Sequence, residues 1–508
     1  MTATAGPETR DVIPRWRSVR DTIAGGEFPT GGSAVLTAEQ EGLLQLRAAE
    51  WQTHATEVFA VEFVGTALLL GVGDRAADAA EFLAKNATLP STELLGQLTT
   101  DTTSTDQAKS VQQHSDRALA TERNLMERSA KRVAQCRVEL DRDPRNAIAW
   151  SELARAYTRL GLDARAERAM RVALSLAPTS RYLLRAAACL YANIGQPEQG
   201  HAILTAAALT PDDPWLLAAE LATANAADIS PRFSKRARLM VERREFAPFQ
   251  LSELASELGT LDLGDNDRRA KKFFHQALAE PTENSVAQAE WASHRISGLL
   301  VPDARLYAPM ASEARARHAQ QEGEWRNAFG HATAWLGDQL FSTNAAIAAS
   351  YVSTVGLDDY AQGLHAARIG LIAHPRDAGL LNNAAYSMIE LGDLEKAEEL
   401  LRRIDFDTAS DIQWIPAVAT QGLLAFRRRR PEVGRELYHR AIELAHSIRG
   451  KETTETMATL MLAREELTLD PVAGRAALAE AERLSRRVRD ASVDRWLPLV
   501  QRVASAPA

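Results

Sequence analysis

Asn146 to Pro178 reads NAIAWSELARAYTRLGLDARAERAMRVALSLAP, and the residues that follow repeat its spacing at an interval of 34. Trp150 is answered by Leu184, Ala154 by Ala188, Tyr157 by Tyr191, Gly161 by Gly195, Ala166 by Gly200 and Ala173 by Ala207. Six matched positions at one period mark an internal repeat, and a repeat of this length marks a stacked architecture.

The spacing has a physical cause. Trp150, Leu153, Ala154 and Tyr157 recur at three- and four-residue steps and share one helix face, and Ala166, Met170, Ala173 and Leu174 do the same on a second helix. Ala154, Ala166 and Ala173 let two antiparallel helices approach closely, with Trp150 and Tyr157 filling the space between neighbouring hairpins. Gly161 ends the first helix where a left-handed backbone is cheap, and Pro178 ends the second. The order of a large residue, a small one, an aromatic, a turn glycine, two small residues and a closing proline resembles the tetratricopeptide repeat (TPR) family. One such hairpin cannot bury its own apolar stripe, so stacking is required. The resemblance implies an all-α, right-handed superhelical solenoid of antiparallel helix pairs with one concave and one convex wall.

At 508 residues the chain exceeds one compact core, and the repeats favour a long solenoid. Its net charge of −8 argues against a broad positive field for nucleic acid. Two cysteines, Cys136 and Cys189, give no disulfide framework and no metal-ligand spacing. The N-terminus lacks the apolar core of a signal peptide, and the longest apolar run, near Phe63 to Val72, is too short and glycine-broken to span a bilayer. The expected location is cytoplasmic.

Residues 1–35, rich in Pro and Gly, read as a lead-in; Trp16 between Arg15 and Arg17 is its one conspicuous feature, open between a docked segment and disorder. A helical hairpin region is expected over 36–97, starting at Thr37 with Glu39 and Gln40. GVGDRA at Gly71 to Ala76 matches a phosphate-binding outline, but no second strand with its acidic residue follows, so the pair of glycines is read as turning one helix into another. The Thr-rich 98–106 reads as a candidate linker. A helix follows from about Gln107 to Leu140, with Leu119, Met126, Ala130, Val133 and Leu140 as its apolar stripe. The superhelix is expected over 107–450, clearest at 147–211 and 344–445, with capping helices over 451–508. Ser230 with Pro231 reads as a helix start, and Leu254, Leu258, Ala270, Phe274 and Ala277 as a degenerate unit. Trp291, Trp325 and Trp335 anchor a stretch whose register the sequence leaves open.

No motif carries chemistry. The histidines are dispersed, and there is no GxSxG, P-loop or paired Cys and His, so no catalytic residue, metal or cofactor is expected and the chain is read as a non-enzyme. What the resemblance implies instead is a concave groove holding a protein or peptide, lined by side chains between the packing positions of each first helix. These are Ser151, Glu152, Arg155 and Arg159; Tyr182, Arg185, Cys189 and Asn193; and Asn382, Asn383, Tyr386 and Glu390. Asn383 stands where some relatives hold a peptide backbone or terminal carboxylate, but Pro416 and Thr420 replace the Lys and Arg of that clamp. The expected role is a scaffold, adaptor or regulatory subunit. Two alternatives are a peptide-sensing regulator gripping nucleic acid through Arg232 to Arg244, the less favoured partner, and an enzyme housed in residues 36–140. The second Arg run, Phe426 to Pro431, reads as a solvated turn or a partner contact.

Overall fold

The computed structural model describes residues 15–18, 35–85, 107–293, 295–296, 298–301, 311–405, 411–448 and 450–505. The proposed linker at 98–106 and most of the proposed lead-in lie outside them. Every regular element among the described residues is helical, and successive helices pack as antiparallel pairs, which makes the fold an all-α solenoid of TPR-like hairpins. The chain divides into two compact units. As far as they are described, the residues of Thr9–Thr92 and Met126–Ala314 form the first, and those of Glu93–Leu125 and Arg315–Ala508 the second.

In the first unit the quoted repeat folds as its spacing dictates. Ala147–Thr158 pairs with Asp163–Leu176, and Arg181–Asn193 with Pro197–Ala206. Leu153, Ala154, Tyr157, Ala166, Met170 and Ala173 are buried, while Trp150 is half-buried with its indole N–H donating to the Pro144 carbonyl at 2.9 Å. Gly161 and Gly195 sit at φ 64° and 74°, and beyond them the amides of Leu162 and Gln196 reach back to the carbonyls of Tyr157 and Tyr191. That is the left-handed helix stop for which glycine lacks a steric cost. Close approach explains the small residue at Gly200, where a Cβ would meet Ala188 Cα at 3.2 Å.

The open register resolves into further pairs. Pro214–Ala226 packs on Arg181–Asn193 and on Pro248–Leu261, which pairs with Asp267–Ala277, and Glu283–Ser293 follows. Leu254, Leu258, Ala270, Phe274 and Ala277 are all fully buried. The helix expected at Pro231 begins later, at Ser234, because the Arg232 amide donates to Glu220 Oε1 at 2.6 Å and is held outside it. Thr37 and Gln40 form a reciprocal capping box at the start of Ala38–His54. Glu57–Leu69 is a helix, Gly71 turns it at φ 70°, and Gly73–Ala76 is a 3-10 turn into Ala77–Lys85, so GVGDRA joins helices and follows no strand. The stripe on Gln107–Arg142 is corrected: Met126 and Ala130 are exposed, and from Arg123 onward Leu125, Ser129, Val133, Cys136 and Leu140 are the buried positions.

In the second unit Ala378–Glu390 with Leu394–Arg402 and Asp411–Arg427 with Pro431–Ser447 form the late repeats. Leu381, Ala384, Ala385, Met388, Ala397, Leu401 and Ile404 are buried in one core with Val418, Tyr438 and Ala441. Gly434 lies against Phe426 so tightly that a Cβ would sit 2.5 Å from its ring. Ala491–Ser505 is tied 141 residues back in sequence: Trp496 Nε1 donates to the Val355 carbonyl at 3.0 Å, and Tyr351 and Ser492 share a hydroxyl hydrogen bond at 2.5 Å. Val352–Gly356 is a π-turn, whose displaced carbonyls need such partners.

Candidate peptide groove of the first unit

Four first helices present one position to a common groove. Tyr182, Trp215, Phe249 and Glu283 follow one another at intervals of 33 or 34 residues and line it together. Val61, Glu62, Val64, Gly65 and Leu68 of Glu57–Leu69 form the facing side, and about 310 Å³ lies open between them.

The wall's charges are largely matched to each other. Arg181 Nε is bonded to Asp213, a carboxylate that also caps Pro214–Ala226 by accepting from the amides of Trp215 at 2.9 Å and Leu216 at 3.1 Å. Arg185 Nη2 donates to Glu253 at 2.8 Å, and both arginines lie 5.9 Å from the Trp215 ring. Glu283 opens the helix Glu283–Ser293, where the positive end of the backbone dipole favours a carboxylate. Burial raises the Glu62 carboxyl above its ordinary range, more than the hydrogen bond from Ser180 and the nearby Arg181 and Arg47 lower it. Cys189, also on the wall, has its thiol pushed up to about 12 by burial, which keeps it an inert packed group.

Into this groove runs the chain's own segment Arg15–Ser18. Trp16 is 2% exposed. Arg17 makes a two-pronged pair with Glu283, Nη1 to Oε1 and Nη2 to Oε2 both at 2.9 Å, and Arg15 Nη1 adds a third bond to Oε2 at 3.0 Å. Arg15 also lies 3.8 Å from Glu313. The Tyr182 hydroxyl donates to the Arg17 main-chain carbonyl at 3.1 Å. Planar bidentate pairing of this kind is selective for arginine. Three polar atoms of the wall nevertheless lack a hydrogen-bond partner among the described residues while shut off from solvent: Glu62 Oε1, Arg181 Nη1 and Asn284 Nδ2. Such an atom costs about 1–3 kcal/mol.

Of the site residues expected from the sequence, Tyr182 and Arg185 line this groove. Arg155 is buried and spent on Glu152 at 2.8 Å, Arg159 is half-buried at the end of its helix, and Asn193 donates to the Cys189 carbonyl at 2.8 Å. Asn382, Asn383 and Tyr386 belong to the second unit and are all buried, with Tyr386 edge-on to Tyr360 at 6.0 Å. Thr420, at the would-be clamp position, gives its hydroxyl to the Pro416 carbonyl at 2.9 Å. Glu62, Glu283 and Asn284 escaped the sequence reading. The 34-residue step from Phe249 to Glu283 was the available signal.

Several arginines of the two basic runs are engaged within the chain. Arg236 pairs with Glu245 at 2.7 and 2.9 Å, and Arg238 with Asp262 at 2.6 and 2.8 Å. In the second unit Arg427 bridges Glu465 and Glu390, and Arg428 reaches Glu398 at 2.7 Å. No helix among the described residues is long and apolar enough to cross a membrane.

No family model matches the sequence, and no curated protein matches it significantly. Among solved structures the chain is similar to yeast Tom70, at 14% identity over 78% of this chain and 96% of that one, with a TM-score of 0.30. It is also similar to the APC/C hetero-tetramer Cut9–Hcn1, at 11% identity over 91% and 93%, with a TM-score of 0.40. At such scores the backbones do not follow one path, and the assignment of fold stands on the helix pairs and their 34-residue step.

Proposed function

We infer that the chain is a protein-interaction scaffold, acting without chemistry of its own, whose first-unit groove holds an extended peptide of a partner. The observation that supports this most is the seating of Arg15–Ser18, an element without helical or strand structure, at a groove lined by four successive first helices, through a main-chain hydrogen bond from Tyr182 and side-chain pairs with Glu283. A groove that binds one extended segment this way offers the same donors and acceptors to another. Tyr182 and Arg185 are its proposed contact residues. Arg155, Arg159 and Asn193 then lie outside the groove's lining, and Asn382, Asn383 and Tyr386 are buried residues of the second unit.

The test compares proteins co-purifying with the wild-type chain, with a Tyr182→Ala, Arg185→Glu variant, and with an outer control, Arg171→Glu, each checked for helical content. A protein kept by the wild type and the control but lost from the groove variant is the expected result. A set of partners unchanged by the groove substitutions would overturn the reading.

A further inference from the structure

We propose that the first-unit groove recognises peptides in which an aromatic residue is flanked by arginines, and that Arg15-Trp16-Arg17 is its resident occupant in cis, which a partner must displace. The proposal rests on the scaffold reading above and adds the ligand's chemistry and its regulation.

Charge complementarity gives the specificity. Arg181 and Arg185 are already held by Asp213 and Glu253, whereas Glu283 takes Arg17 in a two-pronged grip with Arg15 beside it. Lysine, a point charge without the planar fork, could not reproduce that grip. Trp16 is buried and lines the groove together with Val61, Val64 and Leu68, and Tyr182 fixes the segment by its main chain, which reads no sequence but sets the register.

The fit of the resident segment is incomplete, and this makes it displaceable. With the segment seated, Glu62 Oε1 and Asn284 Nδ2 are buried without a hydrogen-bond partner among the described residues, and about 310 Å³ stays open in the same groove. A peptide that carries the same Arg-aromatic-Arg core and adds a donor for Glu62 and an acceptor for Asn284 binds with contacts that the resident lacks. Tethering raises the resident's local concentration to the order of millimolar, so competition in cis weakens binding in trans unless those extra contacts are made.

The experiment uses full-length chains and a labelled peptide IPRWRSVR, the sequence of residues 13–20, read by fluorescence anisotropy. An Arg15→Ala, Trp16→Ala, Arg17→Ala variant, its helicity confirmed by circular dichroism, empties the groove. It is expected to bind the peptide at least about tenfold more tightly than the wild type does. Adding Glu283→Arg to that variant removes binding, and a peptide with both core arginines changed to glutamate restores it, which separates lost pairing from lost folding. Equal affinity of wild type and emptied variant overturns self-occupation. No binding to a folded emptied variant overturns the ligand chemistry, while leaving the scaffold reading to its own co-purification test. Concentration-dependent dimerisation of the wild type that the peptide abolishes would place the segment in a second copy and overturn occupation in cis.

Discussion

The Tyr182 hydroxyl donates to the main-chain carbonyl of Arg17 at 3.1 Å, across 165 residues of sequence. This bond and the grip of Glu283 on both flanking arginines hold the segment against the wall. Loss of Glu283 strands two mostly buried guanidinium groups, which favours release of the segment over retention of uncompensated charge. Limited trypsin digestion read by mass spectrometry should show Arg15 and Arg17 protected in the wild type and cleaved early in Glu283→Ala, with the remaining helices cut at unchanged rates. Equal cleavage in both would contradict the seating.

Glu390, Arg427, Arg464 and Glu465 form a largely buried charge network in the second unit. Arg464 donates to Glu390 at 2.6 Å and to Glu465 at 2.9 Å and lies 5.5 Å from the Trp496 ring. Removing one member leaves the others without compensation, so Arg464→Ala should destabilise this unit by about 3–5 kcal/mol. Thermal unfolding followed by circular dichroism checks it. Arg475→Ala, at an exposed position of Pro471–Ser485, should stay within about 0.5 kcal/mol of wild type.

Two sets of carboxylates act in opposite senses with pH. Although burial, the largest influence on each, works the other way, the arginines around them hold Glu390 and Asp262 below the ordinary carboxylate range. Their stabilisation is therefore full above the unfolded value and is lost as pH falls through the folded one. Glu62 is raised, so its burial is tolerated best when it is protonated and costs stability as pH rises through its folded value. Glu62→Gln should consequently raise the melting temperature at pH 7, with the gain shrinking toward pH 4. A lowered melting temperature at pH 7 would contradict the assignment.

Gly434 and Gly200 are contact points between paired helices. A side chain at Gly434 would meet the Phe426 ring, and one at Gly200 would meet the Ala188 backbone. Gly434→Leu and Gly200→Leu should each cost about 1–3 kcal/mol by overpacking. Gly42, with open space around it, is the control, and Gly42→Ala should be neutral or stabilising by up to about 1 kcal/mol. Melting curves of the three variants decide it.

The local rules of the fold were legible because they are periodic. Tyr157 and Tyr191, Gly161 and Gly195, and Ala166 and Gly200 announce the same hairpin twice, and Thr37 with Gln40 announces a helix start that the structure forms. The groove was harder to read because its contacts depend on where helices stack. Arg155 and Asn193 have the right spacing for an inner wall, yet each is spent on a neighbour within its own helix. Trp16 offered no periodicity at all; only its burial against distant helices assigns it a place. The Arg runs read as free charge because most of their partners lie on other helices, Asp262 and Glu465 being 24 and 38 residues away from Arg238 and Arg427.

The central claim, that Arg15-Trp16-Arg17 occupies the groove of its own chain, is tested most directly by placing a photoreactive benzoylphenylalanine at position 16 of the full-length protein. After irradiation, mass spectrometry of the digested monomer should find adducts within the chain on Glu57–Leu69 and Arg181–Asn193, the helices that line the groove with Trp16. Adducts confined to other helices, or found between two chains, would contradict it.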